Sequence, residues 1–96
     1  MHNFNNKDTK ELVKAFLALK TTTEAEKFLG DLLTPAEVAE FSNRWKVARM
    51  LDAKVSYEEI ARVSGMSSTT IARISKWLTN GMGGYRLMLD RLKKTI

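Results

Sequence analysis

The chain has 96 residues, a net charge of +5 and no cysteine, which suits one small domain (residues 1–96) and excludes a disulfide framework and a thiolate metal site. No apolar run approaches the roughly 20 residues of a membrane-spanning helix, and the N-terminus lacks the apolar core of a signal peptide, so we expect a cytoplasmic protein with no membrane partner. The composition, with a single proline, and the apolar spacing predict an all-α fold of about six short helices.

Charge is divided unevenly along the chain. Residues 1–43 contain five basic and seven acidic side chains, a net charge of −2, whereas residues 44–96 contain eleven basic and four acidic side chains, a net charge of +7. A basic half of this kind is attracted to phosphate backbones through counterion release, which favours a nucleic-acid partner. A basic surface kept for solubility explains the charge equally well when it is considered alone.

Residues 7–52 are predicted to form N-terminal dimerisation helices, of which the first two are short. Asp8 or Thr9 can cap a first helix over residues 7–20. Thr23 and Glu26 have the spacing of a capping box, which predicts a second helix ending near residue 31.

The third helix has the clearest start in the chain. Thr34 can cap it, Pro35 suits its first position, and Glu37 can bond back to the cap. The helical spacing continues to about residue 52, and one face carries the basic residues Arg44, Lys46 and Arg49.

Residues 56–78 predict a helix-turn-helix. Ser56 can cap its first helix, and Glu59 can reach back to that cap. Gly65 then suits a helix end in the left-handed conformation. The cap, the glycine turn and the apolar spacing of the second helix all indicate the same motif, so the prediction of a helix-turn-helix is fairly specific.

The second helix of this motif is the predicted recognition helix, with Ser67 or Ser68 as its cap and an apolar stripe formed by Ile71, Ile74 and Leu78. Hydroxyl and basic side chains on its other face can bond phosphates or base edges, and a small methyl group can meet a thymine methyl. The predicted DNA contacts on this helix are Ser67, Ser68, Thr69, Ala72, Arg73 and Lys76. The alternative for the first two serines is that they only cap the helix.

Lys54, Arg62 and Arg86 are further candidates for phosphate contacts, although a solvated surface charge is the more common role of such residues. Trp45 and Trp77 are expected in the core, as large aromatic residues at helical spacing usually are.

A glycine-rich joint, residues 79–84, precedes a last helix over residues 85–94 that has an apolar stripe. Since the first and last helices both carry such stripes, we expect a second copy of the chain to cover them in a homodimer. A monomeric bundle is the alternative. We expect no enzyme activity and no metal, because the single histidine is His2 in the N-terminal tail and no metal-ligand spacing occurs.

The stretches LTPAEVAEFSNRW and SYEEIARVSGMSSTTIARISKWL, followed by the last helix, resemble the Trp repressor family over about residues 33–92. The resemblance implies an intertwined all-helical homodimer that presents two helix-turn-helix units to successive major grooves of a palindromic operator. It also implies a small-molecule corepressor, which is L-tryptophan in the name-giving member.

The resemblance also implies a ligand pocket, whose residues in this chain would be Thr34, Arg44, Thr70 and Arg73. Two further positions differ from the family pattern. Ile74 stands where the tryptophan-binding member has a glycine, and Trp77 stands where it has a serine. Because both substitutions add bulk, we expect either no corepressor or one other than L-tryptophan.

The function that these patterns favour is a sequence-specific DNA-binding transcriptional regulator, most simply a homodimeric repressor that places its recognition helix in the major groove of an operator. The main alternative is a helical protein-interaction adaptor without DNA specificity. A third is a non-regulatory DNA-binding module, such as the target-reading part of a transposase, although the chain has no room for a catalytic domain.

Overall fold

The computed structural model describes residues 2–93, and within that range all regular structure is α-helical. This confirms the predicted all-α fold, whereas the intertwined dimer stays a prediction. The predicted last helix extended to Lys94, which lies outside the described residues. The described helices are α1 (Lys7–Ala18), α2 (Thr22–Leu32), α3 (Pro35–Asp52), α4 (Tyr57–Ser64), α5 (Ser68–Asn80) and α6 (Gly84–Lys93).

The chain is divided into two compact units, an N-terminal unit up to Val38 and a C-terminal unit from Ala39 onward. The single-domain prediction and its division into dimerisation helices, helix-turn-helix and last helix stay predictions.

The N-terminal unit has little core of its own, because neither α1 nor α2 buries a residue. The Phe16 and Phe28 rings pack edge to face, with their centroids 5.5 Å apart. Other apolar side chains of α1 remain open, and Leu17 is 81% exposed. Side chains of the apolar stripe predicted for the first helix therefore keep a large exposed fraction.

The predicted caps of α1 and α2 are wrong, although α1 begins at Lys7 as predicted. Asn6 caps α1 by accepting the Thr9 backbone N–H at 2.8 Å, and Thr21 caps α2 by accepting the Glu24 N–H at 3.1 Å. A cap residue must have extended backbone, as Asn6 and Thr21 have. The caps predicted from sequence already lie inside the helices: Asp8, Thr9 and Thr23. The first helix also ends at Ala18, two residues earlier than predicted.

The predicted capping box of α3 is confirmed in both directions. The Thr34 hydroxyl accepts the Glu37 N–H at 3.1 Å, and the Glu37 carboxylate accepts the Thr34 N–H at 2.9 Å. The Thr34 backbone N–H, followed by its side chain, holds the pKa of Glu37 below its ordinary value.

The core of the C-terminal unit joins α3, α4 and α5. Its side chains are at most 1% exposed and consist of Val47, Ala48, Ile60, Ile71 and Ile74. Trp45 is partly buried against this core and stacks on Tyr85 of α6, with ring centroids 6.1 Å apart. The core prediction for Trp77 is wrong, since that side chain is 43% exposed on α5.

Ion pairs hold α6 to the end of α3. Asp52, whose side chain is only 11% exposed, binds Lys93 at 2.6 Å and Arg86 at 2.9 Å. Hydrogen bonds from Lys93, and then from Arg86, hold the pKa of Asp52 below its ordinary value. The same helix buries Leu89, so that both its apolar and its charged side chains serve to attach it to the C-terminal unit.

Candidate nucleic-acid interface

The first helix of the helix-turn-helix starts where the sequence predicts. The Ser56 hydroxyl accepts the Glu59 N–H at 3.2 Å, which caps α4. Glu59 does not complete the predicted capping box. Its carboxylate instead binds the guanidinium of Arg62 one turn later, and this hydrogen bonding lowers the pKa of Glu59.

Gly65 makes the turn between α4 and α5. Its φ of 73° lies in the left-handed region, and its N–H donates to the Ala61 carbonyl at 2.9 Å. The Asn43 side chain of α3 donates to the Ser64 carbonyl at 2.9 Å, in a part-buried position. That bond ties the turn to α3, so the turn is fixed from inside the unit as well as by its own backbone.

Ser67 caps α5, as one of the two predicted alternatives. Its hydroxyl accepts the Thr70 N–H at 3.2 Å and lies 3.1 Å from the Thr70 hydroxyl. The side-chain oxygens of both residues are therefore engaged with each other at the first turn. Ser68 and Thr69 follow as exposed residues whose hydroxyls make no hydrogen bond within residues 2–93.

Opposite its buried isoleucines, α5 exposes most of the predicted DNA contacts. Ile71 and Ile74 are buried in the core. The side chains that remain exposed include those of Ser68, Thr69, Ala72, Arg73 and Lys76. The helix thus has one anchored face and one polar, accessible face, the arrangement that a recognition helix needs to enter a major groove.

Ion pairing divides the basic residues into two groups. Arg62 pairs with Glu59, and Arg86 pairs with both Asp52 and Asp90. By contrast, no acidic side chain among the described residues pairs with Lys54, Arg73 or Lys76. The unpaired cations of the second group are available for phosphate groups without first breaking an existing interaction.

A cleft of about 330 Å³ lies between α3 and α5. Three of the four predicted pocket residues line it, namely Arg44, Thr70 and Arg73. The fourth, Thr34, is the cap of α3 and belongs to the N-terminal unit. The remaining lining residues are Glu40, Asn43, Met66, Ile74 and Trp77.

One of the two arginine side chains in this cleft already interacts with neighbouring residues of α3. The Arg44 guanidinium binds Glu40 at 2.9 Å and lies over the Phe41 ring, 5.3 Å from its centroid. Ile74 is 1% exposed and forms part of the core, while Trp77 contributes a half-exposed indole to the wall. The cleft therefore contains the paired guanidinium of Arg44 and the unpaired guanidinium of Arg73, together with apolar side chains in its wall.

Asn43 and Glu40 also line the cleft, although the sequence does not predict either as a site residue. Asn43 is a polar residue on the inner side of α3, and Glu40 lies one helical turn before Arg44. The (i, i+4) spacing of Glu40 and Arg44 is a readable signal. No local pattern predicts the Asn43 bond, because its partner carbonyl is 21 residues away.

Over the described range 2–93, no cluster of histidine, cysteine and carboxylate side chains could hold a metal ion. In the same range, no helix has the length and apolarity to cross a membrane.

Comparison with known proteins gives consistent matches. The family model for the Trp repressor protein matches residues 7–93. The uncharacterized protein YerC of Bacillus subtilis is 36% identical over 89 residues, which cover 93% of this chain and 86% of YerC.

Two solved structures share the fold. A TrpR-like protein from Eubacterium eligens has a TM-score of 0.87 and 34% identity, with 94% of this chain and 93% of that chain covered. A Staphylococcus aureus protein has a TM-score of 0.85 and 33% identity, with 94% and 90% covered.

Proposed function

The chain belongs to the Trp repressor family, and from that premise we propose that it is a homodimeric, sequence-specific repressor of transcription that binds double-stranded DNA. The family is one of DNA-binding regulators with a helix-turn-helix. The observation that carries the proposal is the division of α5 into a buried isoleucine face and an exposed face with unpaired Arg73 and Lys76.

The exposed face of α5 supports the DNA-reading part of the proposal. Thr69 and Ser68 offer hydroxyl groups, Ala72 offers a methyl group, and Lys76 and Arg73 offer cations, all without a competing ion pair within residues 2–93. Such groups can recognise base edges and neighbouring phosphates. Repression would be steric, because a protein seated on an operator that overlaps a promoter blocks access to it.

The uncovered apolar surface supports the homodimer. In the N-terminal unit, α1 and α2 bury no residue, and Phe16 and Leu17 are 44% and 81% exposed. In α6, Leu87 and Leu92 are 52% and 46% exposed. A second copy that covers these faces would stabilise both units and fix the spacing of two recognition helices.

We also propose that L-tryptophan is not the corepressor, so that the protein has either no effector or a different one. Arg44 is already bound by Glu40 and covered on one side by Phe41. Ile74 and Trp77 add bulk to the same cleft. A cytoplasmic location and the absence of enzyme activity complete the proposal.

A binding experiment tests the DNA-reading part. Fragments selected from a genomic DNA pool would define an operator, and its affinity would be compared with that of a random duplex over a salt series. We expect a preference for the operator and a steep fall in affinity with salt. If no duplex binds at low salt, the regulator proposal fails, and the adaptor alternative is favoured.

A double variant, Thr69→Ala with Lys76→Ala, should abolish operator preference while the helical content and the dimer are kept. Thr23→Ala with Lys27→Ala is the matched control, because both residues are exposed on α2 and lie outside the helix-turn-helix. Operator affinity unchanged in the first variant would contradict the assigned recognition face.

A further inference from the structure

The backbone of Lys54 has an unusual conformation. Its φ is 66°, and it is the one residue other than glycine with a positive φ within residues 2–93. A side chain at this φ crowds the following carbonyl group, so that glycine is the residue that adopts the conformation without steric cost.

The conformation is imposed by the way α3 ends. The Lys54 N–H donates to the Leu51 carbonyl at 3.0 Å, and the Val55 N–H donates to the Met50 carbonyl at 3.0 Å. These two bonds form the Schellman arrangement, which requires a left-handed residue at this position. Val55, Met50 and Leu51 also pack against the core, so relaxing the backbone would break both bonds and withdraw an apolar side chain.

Another helix of the C-terminal unit has the expected glycine at its left-handed end. At the end of α4 the left-handed position is occupied by Gly65, with a φ of 73°. At the end of α3 a lysine is kept instead. A lysine at this left-handed position makes the folded chain less stable than a glycine would. An interaction of the lysine side chain would account for its presence.

No interaction within the described residues supplies that explanation. The Lys54 side chain is exposed, and its ammonium group forms no ion pair or hydrogen bond with residues 2–93. It stands two residues before Ser56, the cap of the helix-turn-helix, and no other unpaired cation of the described range lies so close in sequence before α4. Within residues 2–93 the ammonium group is therefore free of competing contacts and accessible to an external anion.

We propose that Lys54 binds a DNA phosphate and that the left-handed lysine is kept for this contact at the expense of stability. The inference rests on the proposed DNA-binding function and deepens it. A phosphate contact carries no base information, so Lys54 contributes to affinity and not to operator choice.

Three variants separate the charge of Lys54 from its backbone conformation. Lys54→Gly removes both the charge and the steric cost, Lys54→Asn removes the charge but tolerates the left-handed region, and Lys54→Arg keeps both. Lys27→Gln, in the N-terminal unit, is the control for a general loss of charge. Each is measured by thermal unfolding and by fluorescence anisotropy with a mixed-sequence duplex of about four helical turns.

Lys54→Gly should unfold at a higher temperature than the wild type and yet bind DNA more weakly. The slope of log affinity against log salt should fall by about 0.9 for each phosphate contact that is lost, and each lost contact corresponds to about eightfold weaker binding at 0.1 M salt. In the proposed homodimer both copies carry the variant, so two such contacts are lost. Lys54→Asn should show the same reduction in affinity without the full gain in stability. Lys54→Arg and Lys27→Gln should keep the wild-type slope.

The outcomes distinguish this inference from the proposed function. If the wild type binds the duplex and Lys54→Gly binds it with the same slope, the phosphate contact is refuted while the proposed function stands. If Lys54→Gly is not more stable than the wild type, the stability part is refuted. If the wild type binds no duplex at low salt, the proposed function and this inference fail together.

Discussion

Replacing Gly65 by alanine tests the turn of the helix-turn-helix through a single physical effect. A Cβ atom built on Gly65 would meet no atom within 4 Å apart from those of its chain neighbours, so the substitution creates no clash with packed side chains. The φ of 73° nevertheless places an L-residue in the left-handed region, at a cost of about 1–2 kcal/mol. The lower entropy of the unfolded alanine chain offsets about 0.4–1 kcal/mol of this.

The net expectation is a loss of about 1 kcal/mol in the free energy of unfolding, by subtraction of these two terms. For a domain of this size such a loss lowers the melting temperature by about 4–8 °C. Urea unfolding followed by circular dichroism measures the loss in the free energy of unfolding directly. Gly65→Asn is the matched control, because asparagine tolerates the left-handed region better and should lose less stability.

Two results would refute this reasoning. Gly65→Ala could unfold at the wild-type urea concentration, which would mean that the turn does not hold a left-handed residue in solution. Gly65→Asn could instead lose as much stability as Gly65→Ala. The loss would then reflect the presence of any side chain at the turn and not its backbone conformation.

Three further predictions concern the core, the acid response and the effector. Ile71→Ala should lower the free energy of unfolding by about 3 kcal/mol, since the side chain is fully buried and its removal leaves a cavity; a loss below about 1 kcal/mol in urea unfolding would contradict its core position. The lowered pKa of Asp52 means that its ion pairs stabilise the fold at neutral pH and that this contribution is lost as the pH falls through the folded-state pKa. Asp52→Asn should therefore lower stability at neutral pH and flatten its decline in acid, and an unchanged acid decline would refute this role. L-tryptophan should leave the melting temperature unchanged, whereas a ligand that binds only the folded chain would raise it; a clear rise would show that Ile74 and Trp77 leave room for the indole.

The features predicted correctly are those that depend on a few neighbouring residues. The Thr34–Glu37 capping box, the Ser56 cap and the glycine turn at Gly65 all appear as expected. Each requires one side chain and one backbone group three or four residues apart, or one residue with a special φ. Such requirements are visible in the order of residues.

The predicted capping residues are wrong where several residues of similar capping propensity lie close together. Asn6, Asp8 and Thr9 can all cap a helix, and so can Thr21 and Thr23. The caps actually used are the residues at which the backbone becomes extended. The position of that residue depends on the backbone path by which the preceding segment enters the helix. Side-chain capping preference alone does not specify this path.

The helices, the helix-turn-helix and the positive charge of the C-terminal half can be read from the order of residues, because they follow from local spacing and composition. Which charged side chains are already paired depends on the packing of the helices. The fold pairs Arg62 and Arg86 with carboxylates while Lys54 and Arg73 keep unpaired cations, and it exposes Trp77 where spacing predicted a core residue. Only the packing of α3, α4, α5 and α6 against one another brings distant partners such as Asp52 and Arg86 together. The spacing that predicts a helix is therefore readable from the chain alone, whereas the availability of a side chain for DNA depends on neighbours that only the fold supplies.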